Sequence, residues 1–172
     1  MRLVVVSDSH GDRAILEQLQ AHYQGQTVTF LHCGDSELQA TDPLFKQMLV
    51  VQGNMDWPDQ FPEQVTPQIN ELSVFMTHGH RYGVNFDLTQ LLLAGQAAAA
   101  NLILYGHTHQ LACESHQDVL LLNPGSIAQP RGQFQSLGGT YAVIDVTDTH
   151  YQVQYYNRQF EPVPQLKFNF KR

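Results

Sequence analysis

Five short apolar stretches of this chain each end in a small residue, followed by side chains of the kind that bind metal ions. The apolar parts are residues 3–6, 28–31, 49–51, 74–76 and 102–104. Short runs rich in β-branched residues are typical of buried strands, and the glycines after them are typical of the turns that end strands. Because ligands of α/β sheets bind beyond the carboxyl ends of the strands, we expect these side chains to share one polar site.

The side chains that follow the five predicted strands are carboxylates, imidazoles and one amide. They are Asp8, His10, Asp35, Asn54, His78, His107 and His109. Asp8 and His10 are two residues apart, as are His107 and His109, and residues i and i+2 of an extended backbone project to the same side. Each pair is therefore expected to present two ligands to one ion from extended backbone. Glycines beside the site are expected to allow sharp turns, namely Gly34, Gly53, Gly79 and Gly106.

Seven ligands exceed the needs of one ion that must also leave room for a substrate. A carboxylate shared by two ions resolves the excess, and Asp35 is the natural bridge. Two ions roughly 3.5–4 Å apart activate a bridging hydroxide and stabilise both the attacking and the leaving oxygen of phosphoryl transfer. Imidazole, carboxylate and amide-oxygen ligands without thiolate favour transition metals over Mg or Ca. We expect manganese first, with Fe, Zn, Co and Ni as alternatives.

The first half of the chain alternates strand and helix, and the second half reads as strands joined by turns. Helices are predicted at residues 13–24 and 85–100, the second being the longest. Residues 64–69 and 71–77 are predicted to form a hairpin through Asn70. This mixture predicts two sheets packed face to face with helices outside them. At 172 residues, without repeats or linkers, residues 1–172 are expected to form a single domain.

The C-terminal tail, residues 159–172, has a period of two. Leu166, Phe168 and Phe170 alternate with Lys167, Asn169 and Lys171. This pattern predicts either an edge strand or an arm that joins a homo-oligomer. The sequence does not separate the two.

Charge and cysteine content restrict the classes of partner. Nine Lys and Arg residues against sixteen Asp and Glu give a formal charge of -7, which argues against nucleic acid and anionic membranes. Bound cations would reverse that sign locally, so a phosphate substrate remains compatible. No apolar stretch approaches a membrane span of roughly 20 residues. Cys33 and Cys113 show no disulfide or metal spacing, and we expect a soluble, cytoplasmic protein with reduced thiols.

The order Asp-x-His, Gly-Asp, Gly-Asn, His and Gly-His-x-His resembles that of the calcineurin-like metallophosphoesterases. The compact length, with the sequences GNMD at residues 53–56 and NPGS at 123–126, resembles their small bacterial phosphodiesterase branch, the YfcE-like proteins. The resemblance spans Asp8 to about Arg131. It implies an α/β fold of four layers, α/β/β/α, in which helices flank two mixed sheets.

The resemblance also divides the ligands between two ions. It implies that the first is held by Asp8, His10, Asp35 and His109. It implies that the second is held by Asp35, Asn54, His78 and His107. The function it implies is that of a phosphoric diester hydrolase (EC 3.1.4) acting on a small phosphodiester, with Asp35, Asn54 and His78 as catalytic residues. Asn54 and Arg131 are candidates for substrate contact.

Two alternatives to this function differ in class. One is a non-catalytic metal-binding or protein-interaction scaffold of the same fold, like the related retromer subunit. Such scaffolds lose the histidine of Asp-x-His, whereas His10 is present here. The other is a nuclease, which needs a cationic groove that nine basic residues do not suggest.

One position departs from the wider superfamily, in which a histidine that serves the leaving group often follows the motif asparagine. Met55 stands there in this chain. His80 is a candidate substitute acid, although a plain polar contact is the simpler interpretation. His32 is expected to orient the turn before Asp35.

Two interpretations remain open for each of three further features of the sequence. Residues 123–126 are either a tight turn or part of the site. The guanidinium of Arg131 either binds a phosphate oxygen or is solvated in a loop. Trp57 either forms a substrate platform or covers the core.

Overall fold

The computed structural model describes residues 1–172, and six of its twelve strands form a first sheet. From edge to edge the strands are β12 (Pro162–Lys171), β11 (His150–Asn157), β10 (Thr140–Val146), β1 (Arg2–Val6), β2 (Thr29–His32) and β3 (Met48–Val50). β1, β2 and β3 are parallel, whereas β10, β11 and β12 add antiparallel neighbours. The carboxyl ends of the three parallel strands therefore meet at one edge.

The second sheet repeats this arrangement with a parallel centre. Its strands lie in the order β4 (Gln64–Val65), β6 (Leu72–Thr77), β7 (Leu102–Leu104), β9 (Val119–Pro124) and β8 (Leu111–His116), and β5 (Gln68–Ile69) also pairs with β6. β6, β7 and β9 are parallel. Both sheets are mixed, as predicted.

Apolar residues alternate between the two faces of each sheet. Leu3 and Val5 of β1 pack against the inner face of the second sheet. Val4 and Val6 face outward, where they meet the buried side of helix α1 (Arg13–His22). Helix α2 (Thr89–Ala97) covers the outer face of the second sheet in the same way, with Leu91 in the same cluster as Phe75 and Ile103. These layers confirm the predicted α/β/β/α fold.

The predicted longest helix, residues 85–100, is wrong in length. α2 has nine residues and α1 has ten. Before α2 the chain turns, with the Phe86 N–H bonded to the Gly83 carbonyl, and after it Ala99 adopts a left-handed φ of 52°. The run of alanines favours helix locally, but these turns shorten it at both ends.

The predicted strand at residues 64–69 is split into β4 and β5. Pro67 lies between them, and its backbone has no N–H to continue the ladder, although its carbonyl accepts from the Val74 N–H at 3.1 Å. The turn through Asn70 is present as predicted, with φ of 53°.

The C-terminal tail lies along the edge of its own sheet. β12 pairs antiparallel with β11, with Phe170 opposite Tyr151 and Phe168 opposite Val153. Val163 and Leu166 are buried in the core between the sheets. No helix of the chain is both long and apolar enough to cross a membrane.

Candidate metal centre

The loops after β1, β2, β3, β6 and β7 bring the predicted ligands into a chain of contacts. Asp8 Oδ1 lies 3.3 Å from His109 Nε2 and 4.0 Å from His78 Nε2. His78 Nε2 lies in turn 3.2 Å from Asp35 Oδ2 and 3.1 Å from Asn54 Oδ1. His10 Nε2 is 3.2 Å from His109 Nε2.

Two overlapping groups within this chain of contacts could each hold a metal ion. The ligand atoms of Asp8, His10 and His109 lie within 4.8 Å of one another, as do those of Asp8, Asp35 and His78. Asp8 belongs to both groups, and Asp35 to the second. In the first sheet, β2 lies between β1 and β3. Asp35, which follows β2, therefore comes from the strand between those that precede Asp8 and Asn54.

The imidazole rings are oriented through their Nδ1 atoms. His78 Nδ1 lies 2.7 Å from the Cys33 carbonyl, and His109 Nδ1 lies 2.7 Å from the Gln129 carbonyl. Because a carbonyl only accepts, each Nδ1 donates and each Nε2 keeps its lone pair for another partner. Metal-binding histidines typically show this arrangement.

A bound cation would satisfy the lone pairs of these side chains better than hydrogen bonds between the side chains do. The Nε2 atoms of His10 and His109 face each other, and His10 Nδ1 is already engaged 2.6 Å from a Glu37 carboxylate oxygen. Asp8 Oδ1 is buried, and in the neutral His109 ring, whose proton is on Nδ1, the Nε2 atom 3.3 Å away offers it a lone pair and no hydrogen bond. Facing lone pairs and an unpaired buried carboxylate oxygen are each satisfied by a metal ion.

The carboxylates and imidazoles polarise one another. Burial alone would lower the pKa of His78, but the carboxylates of Asp35 and Asp8 outweigh it and raise that pKa. Burial likewise opposes ionisation of Asp35, and His78 with the Met55 N–H holds its pKa below the usual range. The pKa of His109 is raised against burial by Asp8. The centre therefore favours positive charge.

His107 lies at the rim of the centre. Its Nε2 is 2.9 Å from the side-chain nitrogen of Asn85, which the sequence analysis did not identify. Burial and the charge of His78 lower the pKa of His107. Because an amide nitrogen only donates, Nε2 of His107 is the acceptor in this contact.

The prediction that the paired ligands sit in extended backbone is wrong. Positive φ angles, between 43° and 69°, occur at five of the predicted ligands: Asp8, His10, Asp35, His107 and His109. Asp and His are among the side chains that tolerate this left-handed region best. The ligand loops are tight left-handed turns rather than strand extensions.

Two of the flanking glycines are required by close approach rather than by a positive φ. A Cβ on Gly53 would lie 2.0 Å from Asp35 Oδ1, and one on Gly106 would lie 2.0 Å from Ser7 Oγ. The backbone of Gly53 therefore touches the Asp35 carboxylate, and the backbone of Gly106 touches the Ser7 hydroxyl next to Asp8, an approach that only glycine permits.

Asp56 organises the loops around the second group and was named in the sequence analysis only as part of a motif. Its buried carboxylate accepts from the N–H groups of Asp35, Glu37 and Gly53 and from the Ser36 hydroxyl, at 2.7 to 2.9 Å. One side chain thereby fixes the turn after β2 against the turn after β3.

Residues 123–126 support the ligand loops rather than forming an isolated turn. The Asn123 side chain donates to the Gly106 carbonyl at 2.8 Å, and the Ser126 hydroxyl donates to the Asp8 carbonyl at 2.7 Å. His32 is buried as expected, bonded to Ser9 and to the Gly34 N–H, and burial lowers its pKa to about 4.

The candidates for substrate contact border the centre on its open side. Asn54 and Arg131 are exposed, and the Arg131 N–H donates to the His109 carbonyl at 3.0 Å. Met55 and Trp57 are 54% and 60% exposed, so Trp57 does not cover the core. The ring of His80 lies 5.4 Å from that of His78, and its Nδ1 is buried without a partner.

Comparisons with known proteins agree with this geometry. Residues 1–149 match a family model described as the calcineurin-like phosphoesterase superfamily domain. The probable metallophosphoesterase YsnB of Bacillus subtilis is 28% identical over 167 residues, 97% of each chain. Phosphodiesterase MJ0936 of Methanocaldococcus jannaschii is 26% identical over 144 residues, 73% of this chain and 83% of that protein.

A solved structure extends the similarity over nearly the whole chain. It is the crystal structure of a conserved protein of Streptococcus pneumoniae TIGR4, described as a predicted phosphoesterase. The two chains are 37% identical and superpose with a TM-score of 0.94, covering 99% of this chain and 97% of the other.

Proposed function

The chain belongs to the calcineurin-like phosphoesterase superfamily, and from this premise we propose that it is a dinuclear metal-dependent phosphodiesterase acting on a small phosphodiester. The observation that carries the proposal is the pair of largely buried ligand groups that overlap at Asp8, with Asp35 in the second group. The name of its relative MJ0936, a phosphodiesterase, supports the choice of diester over monoester.

In this proposal the first ion is held by Asp8, His10, Asp35 and His109. The second is held by Asp35, Asn54, His78 and His107. Asp35 would be the bridge, an assignment supported by the position of β2 between β1 and β3 in the first sheet. Manganese is the expected metal, and ligand sets of this kind, half imidazole nitrogen and half oxygen, also suit Fe, Zn, Co and Ni.

When bound, two such ions supply positive charge to the phosphoryl oxygens and lower the pKa of water at the site. The protein's own residues orient the substrate. Asn54 is exposed at the edge of the centre. Arg131 is exposed too, its backbone N–H donates to the His109 carbonyl, and the fork of donors on its guanidinium suits a phosphate oxygen. Both free cysteines suit a cytoplasmic enzyme.

A catalytically silent scaffold of the same fold is the competing function. His10 argues against it, because its ring is buried in the first ligand group and its Nδ1 is bonded to a carboxylate. A scaffold that only binds proteins does not need a histidine held in the orientation of a ligand, whereas a metal-binding scaffold does, so hydrolysis is the property that separates the enzyme from the second kind of scaffold.

Metal analysis and a substrate screen test the proposal together. The metal-free protein is reloaded separately with Mn, Co, Ni, Zn and Mg and assayed on an aryl phosphodiester and the matching monoester. We expect close to two ions per chain and faster hydrolysis of the diester. His116→Ala, which removes an exposed histidine on β8, serves as the control and should behave like the parent. At most one bound ion would contradict the dinuclear site; two ions without hydrolysis of either ester would favour the scaffold.

A further inference from the structure

Glu37 has a backbone conformation that its residue type rarely adopts. Its φ is 53°, in the left-handed region. Glycine is preferred there, and a glutamate side chain makes no local hydrogen bond that would stabilise this conformation. The buried carboxylate of Asp56 holds this conformation by accepting the Glu37 N–H at 2.7 Å. A backbone outlier maintained by a buried partner beside a site is a reason to ask what its side chain does.

The same turn is tied to the loop that carries His10. The His10 N–H donates to the Asp35 carbonyl at 3.0 Å, and the Gly11 N–H donates to the Ser36 carbonyl at 2.9 Å. The two loops therefore run side by side, and the left-handed turn at Glu37 directs its carboxylate back to the histidine. Glu37 Oε1 lies 2.6 Å from His10 Nδ1.

This contact distinguishes His10 from the other histidines of the centre. His78 and His109 have uncharged backbone carbonyls at Nδ1, whereas His10 has a carboxylate that is about one third exposed. A carboxylate fixes the Nδ1–H tautomer and makes Nε2 more basic than a carbonyl does. Of these three rings, only His10 has a side-chain carboxylate at Nδ1, so a mutation can change its partner directly.

We propose that Glu37 is a positioning residue that sets the affinity of the ion held by Asp8, His10 and His109, and leaves the second ion unaffected. This inference rests on the proposed function, because it presumes that both ions bind. Glu37 itself contacts neither the substrate nor an ion; it acts through the His10 ring.

The test is Glu37→Gly, because glycine tolerates the left-handed φ and keeps the N–H that Asp56 accepts. The turn is thereby preserved, while the side chain that contacts His10 Nδ1 is removed. Metal-free protein is titrated with Mn²⁺ alone, and the free ion is counted by electron paramagnetic resonance. We expect one of two dissociation constants to rise by about 10–100-fold and the other to stay unchanged.

Two further variants make the readout specific. Glu37→Gln keeps an oxygen that can accept from Nδ1 but lacks the charge, so it should give a smaller loss than Glu37→Gly. Glu114→Gln is the matched control, because it weakens a carboxylate–histidine contact of 3.2 Å to His116 on the surface of β8. It should bind Mn²⁺ like the parent.

A double variant identifies which ion is affected. His109→Ala should retain only the second ion, and adding Glu37→Gly to it should weaken that ion no further. Equal weakening of both ions by Glu37→Gly, or no weakening of either, would overturn the inference while leaving the dinuclear site in place. A parent protein that binds no Mn²⁺ would instead overturn the proposed function, and the inference with it.

Discussion

Asp35 is the single residue on which both proposed ions depend. Its Oδ1 accepts from the Met55 N–H at 2.7 Å, and its Oδ2 lies 3.2 Å from His78 Nε2, so its carboxylate is fixed at both oxygens. We expect Asp35→Asn to weaken both ions, because a shared ligand serves two sites. His109→Ala should mainly empty one site. Metal content per chain after dialysis at fixed free Mn²⁺ measures both effects.

Asp8→Asn is the informative companion, since Asp8 is the carboxylate that both ligand groups share in this structure. If Asp8→Asn empties both sites while Asp35→Asn empties only one, Asp8 and not Asp35 is the bridge. Folding of each variant is checked by its Tm in the absence of metal.

Met55 follows Asn54, where the family resemblance implies a proton donor for the leaving group in other members. Its side chain is 54% exposed and carries no proton, while its N–H is already bonded to Asp35. A positioned general acid contributes roughly 10²–10⁴-fold. We therefore expect the parent to cleave aryl diesters far faster than alkyl diesters, and Met55→His to accelerate the alkyl diesters selectively. Rates over a series of leaving-group pKa values measure this.

Met55→Leu is the control for the change of side chain, because it adds no proton donor. A parent rate that does not depend on leaving-group pKa would mean that another acid, such as His80, already acts. An unchanged alkyl-diester rate in Met55→His, with metal content intact, would refute the argument from the missing acid.

His32 makes the stability of the metal-free protein depend on pH. Burial lowers its pKa to about 4 in the folded state, from about 6.5 when unfolded. Between these values the unfolded chain binds more protons, so the free energy of unfolding falls as the pH drops from about 6.5 towards 4. The loss is on the order of 3 kcal/mol. Urea unfolding of the parent and of His32→Gln across this range measures it.

Comparing the pH dependence of unfolding in the parent and in His32→Gln isolates the contribution of His32. The comparison is needed because His78 and His109 have raised pKa values, which increase the free energy of unfolding as the pH falls. We expect a shallower decline for His32→Gln. Parallel curves for the two proteins would show that His32 does not titrate in this range.

At the residue level, the sequence indicated side chains that the structure brings together, with His107 at the rim, but it did not indicate how the backbone presents them. Ligand types and their position after strands follow from local patterns. The left-handed turns at Asp8 and His10 do not, because their cost is offset by hydrogen bonds to Asp35 and Ser126, which are distant in sequence. For the same reason Glu37 could not be recognised: its partner, His10, lies on another loop.

Among the elements, β12 shows the clearest difference between a buried face and a solvent-exposed face. Leu166 is 3% exposed in the core between the sheets, and its neighbour Lys167 points to solvent. We expect Leu166→Ala to cost about 2–5 kcal/mol, a fall in Tm of roughly 5–15 °C. Lys167→Ala should change stability by less than about 0.5 kcal/mol. Calorimetry on the two variants gives the comparison, and equal Tm values would mean that β12 is not docked.

Removing β12 separates an edge strand from an arm that joins two chains. A chain ending after Pro164 should lose Tm, because Leu166 and Phe168 no longer pack. Its mass by light scattering should match the parent's, because β12 pairs with β11 of its own chain. A drop in mass would show that the tail joins copies instead.

Element boundaries were less predictable than element order. The alternation in β12 and the apolar runs of β1 and β2 are strong local signals. Residues 85–88, by contrast, have an apolar pattern that continues that of α2, yet the Asp87 carboxylate accepts from the Thr89 N–H and the chain turns before the helix begins. A side chain that accepts a backbone N–H competes with the helix for that N–H, and the periodicity of apolar residues does not show which of the two prevails.

For the whole molecule, the layered fold follows from the continuous apolar runs of the parallel strands, which can be read from the sequence. Parallel strands such as β1 and β7 are apolar on both faces, so each sheet needs a cover on either side. Two sheets cover each other and one helix covers each outer face. The polar residues excluded from these layers collect at the strand ends, which is why a single edge carries the site.

The charge of the whole molecule leads to a last prediction. Sixteen acidic residues against nine basic ones repel a polyanion, while two bound cations would attract one phosphate locally. We expect single-stranded DNA not to inhibit hydrolysis of an aryl phosphodiester, even at low salt, where attraction to polyanions is strongest. A dinucleotide, which presents one diester without a long anionic tract, should compete. Competition assays at two salt concentrations measure both. Inhibition by the long strand that disappears with added salt would reveal a cationic surface and favour a nuclease.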